Sequence, residues 1–64
     1  MAQEKLVIYK ALDDWCITPK SNYGASIRNS RKIQVMRGFS TPDEIIDYYC
    51  RYFNCKTDDF IVVD

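Results

Sequence analysis

Three cysteines, two adjacent aspartates and a run of cations are the residues of this chain that could carry chemistry. Cys16, Cys50 and Cys55 could serve as nucleophiles, metal ligands or disulfide partners. A thiol nucleophile needs a base within hydrogen-bond reach, yet the chain has no histidine and no motif sets an acid or lysine beside Cys16. Structural zinc needs four ligands, usually including a close Cys-x2-Cys pair; Cys50 and Cys55 lack that spacing. An odd cysteine count argues against a disulfide framework. The thiols are therefore expected to be reduced and packed as small hydrophobes, although a Cys50–Cys55 bridge past a helix end is geometrically conceivable. Asp13 and Asp14 could form an acid/base pair, but neighbours at a strand end point to opposite sides, and a solvated turn is their ordinary role. With only Gly24 and Gly38, no phosphate-cradling glycine motif can be built. The expectation is a protein that is not an enzyme, with no catalytic residue, no metal and no cofactor.

Charge offers more than reactivity does. The net charge is zero, but it is segregated. From Cys16 to Pro42 the chain holds Lys20, Arg28, Arg31, Lys32 and Arg37 and no acid. From Asp43 onward, Asp43, Glu44, Asp47, Asp58, Asp59 and Asp64 outnumber Arg51 and Lys56. Such a dipolar arrangement can steer an oriented encounter with a charged partner; equally, the two regions could attract each other across the fold.

These groups must be positioned by one small domain spanning residues 1–64, since 64 residues are too few for two cores. Hydrophobic residues at 47% and charged residues at 28% make a globular composition rather than a disordered one. No run of about 18 apolar residues is present, so no transmembrane helix is expected. The opening Met1-Ala2-Gln3-Glu4-Lys5 lacks the basic and apolar regions of a signal peptide, and a cytoplasmic location is the expectation.

Leu6 to Leu12 is rich in β-branched and aromatic residues and reads as a strand, ended by the turn chemistry of Asp13-Asp14. Lys32 to Arg37 alternates apolar and polar residues as a half-buried strand does, and Phe60 to Val63 reads as a third. Between the first two lies a connection of residues 13–31, unusually long for so small a domain. Its Pro19, Ser21, Asn22 and Gly24 are turn formers, and residues 23–28 could pair with 31–36 as a hairpin around Asn29-Ser30. Thr41-Pro42-Asp43-Glu44 marks a helix start: an N-cap, a proline at the first helical position and a capping-box glutamate. Ile46, Tyr49, Cys50 and Phe53 then share one face toward the core, with Ile45 and Tyr52 flanking it. Asp47 and Arg51, four apart on the other side, can pair; Tyr48 is expected on that polar side, and Asn54 as a left-handed C-cap. The fold class is α+β: a three- to four-stranded, mainly antiparallel sheet with one helix packed on one face, in β-β-α-β order. The first strand belongs in the centre, antiparallel to both neighbours, and one helix cannot cover both faces.

Binding is the function this composition favours. Nine aromatics in 64 residues exceed what such a core can hide, and an apolar sheet face without a helix on it would mark an interface. Two patches are expected to carry it. Trp15, Lys20, Tyr23, Arg28, Arg31, Lys32 and Arg37 form a basic, aromatic segment. Tyr48, Arg51 and Tyr52 form a second patch on the helix, of the residue types that dominate interface hot spots. The free sheet face around Val7, Tyr9 and Met36 is a third candidate, and a homodimer could bury it. The alternative is a nucleic-acid module using residues 20–37, since cations neutralise phosphates and aromatic rings stack on bases. Against it stands a pI near 6.1, low for such a domain.

The stretch from Thr41-Pro42-Asp43-Glu44 through Phe60-Ile61-Val62-Val63 resembles the capped helix and following strand of small bacteriophage host-takeover proteins, specifically the T7-type phage inhibitors of bacterial RNA polymerase. The likeness covers about half the chain and is one of pattern. It implies a small, non-catalytic protein that acts by occlusion; together with the composition, the expectation is a cytoplasmic monomer or homodimer, without a membrane partner, that binds a bacterial host protein during phage infection and inhibits or modulates it. No binding residue is carried over, because no family motif is matched.

Overall fold

The computed structural model describes residues 4–63. Strand β1 (Leu6–Ala11) turns into β2 (Asp14–Pro19); a short β3 (Gln34–Met36), the helix α1 (Pro42–Tyr52) and β4 (Phe60–Val63) follow. Single 3-10 turns sit at Ser30–Lys32 and Thr57–Asp59. The sheet has the order β3-β2-β1-β4. The α+β class, the four-stranded, mostly antiparallel sheet and the single helix are as expected; the order is β-β-β-α-β.

The additional strand is the main correction. Residues 14–19 belong to β2, not to a long connection, and pair antiparallel with β1 from Leu6↔Pro19 to Ala11↔Asp14. Trp15, Ile17 and Thr18 have the branched and aromatic character that suits a pleated surface. The turn is Leu12-Asp13, with Leu12 at φ 56°, a left-handed backbone rarely adopted by leucine. The hairpin of residues 23–28 with 31–36 does not form. Asn29 instead caps the 3-10 turn, its side chain accepting from the Arg31 N–H at 3.0 Å. The strand expected over 32–37 shortens to three residues.

β1 does lie between two neighbours, but only β2 is antiparallel to it. β4 pairs parallel, from Leu6↔Phe60 to Tyr9↔Val63. A parallel partner requires a long crossover, and α1 lies on that path between the two edge strands, β3 and β4.

One sheet face packs on α1. Ile8, Ile17, Met36, Phe60 and Ile45 form the buried cluster, with Leu6, Trp15, Phe39, Ile46, Tyr49, Cys50 and Cys55 packed around it. Ile45 is the fully buried centre, and Phe53, expected inside, is 58% exposed. The reason is local: Phe53 is the C-cap residue, at φ −123° and ψ 12°, so it has left the helical path and its seven-residue phase from Ile46 is lost. Asn54 follows at φ 58°, the expected left-handed position. At the other end Pro42 opens the helix as expected. Thr41 makes no side-chain capping bond, while Glu44 Oε2 accepts from the Ser40 N–H at 2.9 Å, one residue earlier than a capping box requires. The Asp47–Arg51 ion pair forms at 3.4 Å on the exposed side, where such a pair contributes little.

The second sheet face is not left open. Val7, Cys16 and Thr18 alternate onto it and are buried. Their cover is the segment from Lys20 to Lys32. Asn22, itself buried, donates from Nδ2 to Thr18 Oγ1 at 3.0 Å and to the Asn29 C=O at 3.1 Å. Its Oδ1 accepts from the Asn29 N–H at 2.8 Å. One side chain thus ties the segment to the sheet and its two ends to each other. The ring of Tyr23 lies 5.1 Å from that of Tyr9. At the edge Glu4 accepts from the Ser21 N–H. The hydroxyl of Ser21, then its N–H, and then the charge of Lys32 hold the Glu4 carboxyl below its usual range. The free face expected around Val7, Tyr9 and Met36 therefore does not exist: Val7 is covered, Tyr9 is half-buried, and Met36 points into the helix-side core.

Candidate binding groove

The residues expected to bind a partner fall in separate places. Trp15 is half-buried on the helix side of β2. Its indole N–H donates to the Ser40 C=O at 3.3 Å, and the Lys10 ammonium lies 5.7 Å from its ring; it anchors the approach to α1. Tyr23 and Arg28 belong to the covering segment, the guanidinium 5.9 Å from the ring centroid. Lys20, Arg31 and Lys32 are exposed on that same segment. Arg37 stands apart, just beyond β3.

Around Arg37 an open groove of about 260 Å³ runs between β3 and α1, lined by Gln34, Val35, Met36, Arg37, Phe39, Tyr48, Tyr49 and Phe53. The whole of one edge strand contributes to it. The rings along its helix side contact one another: Tyr48 is 5.7 Å from Phe39 and 6.0 Å from Phe53, both edge-on, and Tyr49 is 5.0 Å from Phe53. Tyr52 extends the cluster, 4.9 Å from Tyr48. Tyr48 is thus part of an aromatic wall, not of a polar helix side. Tyr49 is fixed at the base, where its hydroxyl donates to Gln34 Oε1 at 3.2 Å. Burial, then Tyr48 and Cys55 nearby, pushes its phenol up, so it stays a neutral donor.

Offset and edge-on ring pairs are favourable, yet Tyr48, Tyr52, Phe53 and Val35 keep large exposed areas. Arg37 supplies a cation at the rim, and among the described residues no acid lines the groove. Of the residues singled out from sequence, Arg37 and Tyr48 meet here, with Tyr52 adjoining and Arg51 on the same helix. Phe39, Phe53, Gln34 and Val35 are not among the residues singled out for binding, and Met36 is singled out only for the sheet face that proves to be covered. The available signal was the density of rings in Tyr48-Tyr49-Cys50-Arg51-Tyr52-Phe53, too many for one buried stripe of a helix.

The remaining reactive groups are quiet. All three cysteines are free. Burial, then Asp14, raises the Cys16 thiol, and burial, then Asp59 and Cys50, raises that of Cys55; both remain protonated and weakly nucleophilic at neutral pH. Among the described residues no three His, Cys, Asp or Glu side chains gather as metal ligands, and no helix is long and apolar enough to cross a membrane. Comparison with protein-family models, curated proteins and solved structures finds no match to this chain.

Proposed function

We propose that this chain is a non-catalytic binding module that modulates a protein partner engaged through the groove between β3 and α1. The exposed aromatic cluster of Tyr48, Tyr52 and Phe53 beside Arg37 carries the reading. Aromatic and arginine side chains are enriched at interface centres and account for most binding energy there. The weak nucleophilicity of Cys16 and Cys55 and the lack of histidine support a role without chemistry. The pattern likeness to phage host-takeover proteins makes bacterial cytoplasmic proteins the first partners to search, with occlusion as the mode of action.

Capture from bacterial lysate followed by mass spectrometry tests this. A partner held by the native chain should be lost with Tyr48→Ala/Phe53→Ala, whose exposed sites leave the circular dichroism unchanged. Charge reversal at Arg28, Arg31 and Lys32 should slow association, since peripheral charges act on the encounter, without abolishing the complex. Retention of the partner by the groove variant sinks the reading. If mixed DNA or RNA binds with steep salt dependence, and the triple reversal removes it, the nucleic-acid alternative takes its place.

A further inference from the structure

The hydrogen-bond parity of the sheet identifies what the floor of the groove presents. The Lys20 N–H donates to the Lys5 C=O at 2.9 Å, which puts that pair, just beyond the ends of β1 and β2, in a bonded position of the ladder. Alternation from there makes Val7↔Thr18, Tyr9↔Cys16 and Ala11↔Asp14 the bonded pairs. Trp15 and Ile17 must then turn their backbone groups the other way, toward Met36 and Gln34 of β3. Cys16↔Val35 is left as the non-bonded pair, and the N–H and C=O of Val35 point outward from the sheet edge into the groove. No hydrogen bond occupies either group among the described residues.

Resting on the groove as the binding site, we propose that its occupant is an extended, acidic peptide segment that adds to β3 as a fifth strand. Strand addition draws on main-chain hydrogen bonds for affinity and on alternate side chains for specificity. Here a residue paired with Val35 would bond both its free groups. Its two neighbours would point to the helix side of the sheet, against Tyr48 and Phe53. Charge selects the sequence. β3 is preceded by Arg31 and Lys32 and followed by Arg37, all exposed, and among the described residues no acid lines the groove. Apolar or aromatic residues at those two ring-facing positions, with Asp or Glu beyond them, meet both the rings and the cations.

A short edge strand with charges at its ends is also how proteins discourage unwanted pairing. That reading leaves the exposed rings beside the edge unexplained, whereas an added strand covers them. A second copy offering its own β4 edge is the competing occupant; such a head-to-tail contact gives rings or open chains.

The test uses the full chain and a displayed library of randomised eight-residue peptides. Selected peptides should be rich in Asp or Glu around an apolar or aromatic centre. Methylating the peptide amide that faces Val35 should weaken binding at least tenfold, and the same peptides should lose at least tenfold against Arg37→Glu. Changing their acids to lysine should restore binding to that variant. Selected peptides that bind through Tyr48 and Phe53 but are indifferent to amide methylation overturn strand addition while the groove stands. Peptides indifferent to Tyr48→Ala and Phe53→Ala, or no selected peptide at all, remove the groove as well. Concentration-dependent rings or chains in sedimentation, broken by Arg37→Glu, would replace the peptide with a second copy.

Discussion

The two faces of the sheet are covered by different physics. On one, the helix presses Ile45 and Ile46 onto Ile8, Ile17, Met36 and Phe60, a contact made of apolar area and close packing. On the other, a segment with almost no regular structure covers Val7, Cys16 and Thr18 and is held by the amide of Asn22. Apolar burial is spread over many atoms and tolerates small errors of fit. A buried amide has few partners, and each bond lost leaves a desolvated group behind. The helix face should therefore govern whether the chain folds, and the Asn22 face how tightly one segment of it is held.

Ile45→Ala empties the centre of the helix face and should cost about 2–5 kcal/mol. That approaches the whole stability of a domain of this size, at roughly 0.05–0.15 kcal/mol per residue, so urea unfolding should show a large loss or no folded state. Asn22→Ala strands the Thr18 hydroxyl and the Asn29 backbone and should cost about 1–3 kcal/mol. Amide exchange should then accelerate across residues 20–33 while β1 and β2 stay protected. Equal acceleration everywhere would mean that the two faces form one cooperative unit. Leu12→Gly relieves the left-handed backbone at a side chain that is 97% exposed. It should raise stability by up to about 1 kcal/mol, read as a higher urea midpoint with unchanged slope. The smallest effect is that of pH. The lowered Glu4 carboxyl contributes stability that is present above its unfolded value and lost as pH falls through its folded one. The Ser21 amide should move in NMR spectra below pH 4.5, with exchange rising locally; an Asn22 face indifferent to acid would show that Glu4 holds nothing.

The helix was legible because its signals agree: Pro42 at the start, Asn54 past the end, and apolar spacing between. Its inward face was displaced because Ile45 and Ile46 are adjacent, and only the end of the helix at Tyr52 decides that Phe53 falls outside. β2 was hidden by its turn. Asp13-Asp14 carries the ordinary turn residues, and nothing in the sequence announces that Leu12 accepts a positive φ. The parallel place of β4 was equally hidden, since strand direction depends on where the crossover lands. Asn22 looked like a loop residue because buried polar partners are chosen by tertiary contact. Arg37 and Tyr48 were found from residue type; the groove they share needed β3 to end where it does.

The parallel seam between β1 and β4 also has a kinetic meaning. Its partners are roughly fifty residues apart in the chain, so the seam can form only after most of the loop-closure entropy has been met. The β1–β2 hairpin is local and can assemble early, on the microsecond scale typical of hairpins. Until β4 arrives, one side of β1 stays unpaired, with Val7 and Ile8 next to it. A chain with such distant pairings folds slowly for its length. During that interval β1 is open to strands of other molecules, so dilute refolding should give a better yield than concentrated refolding.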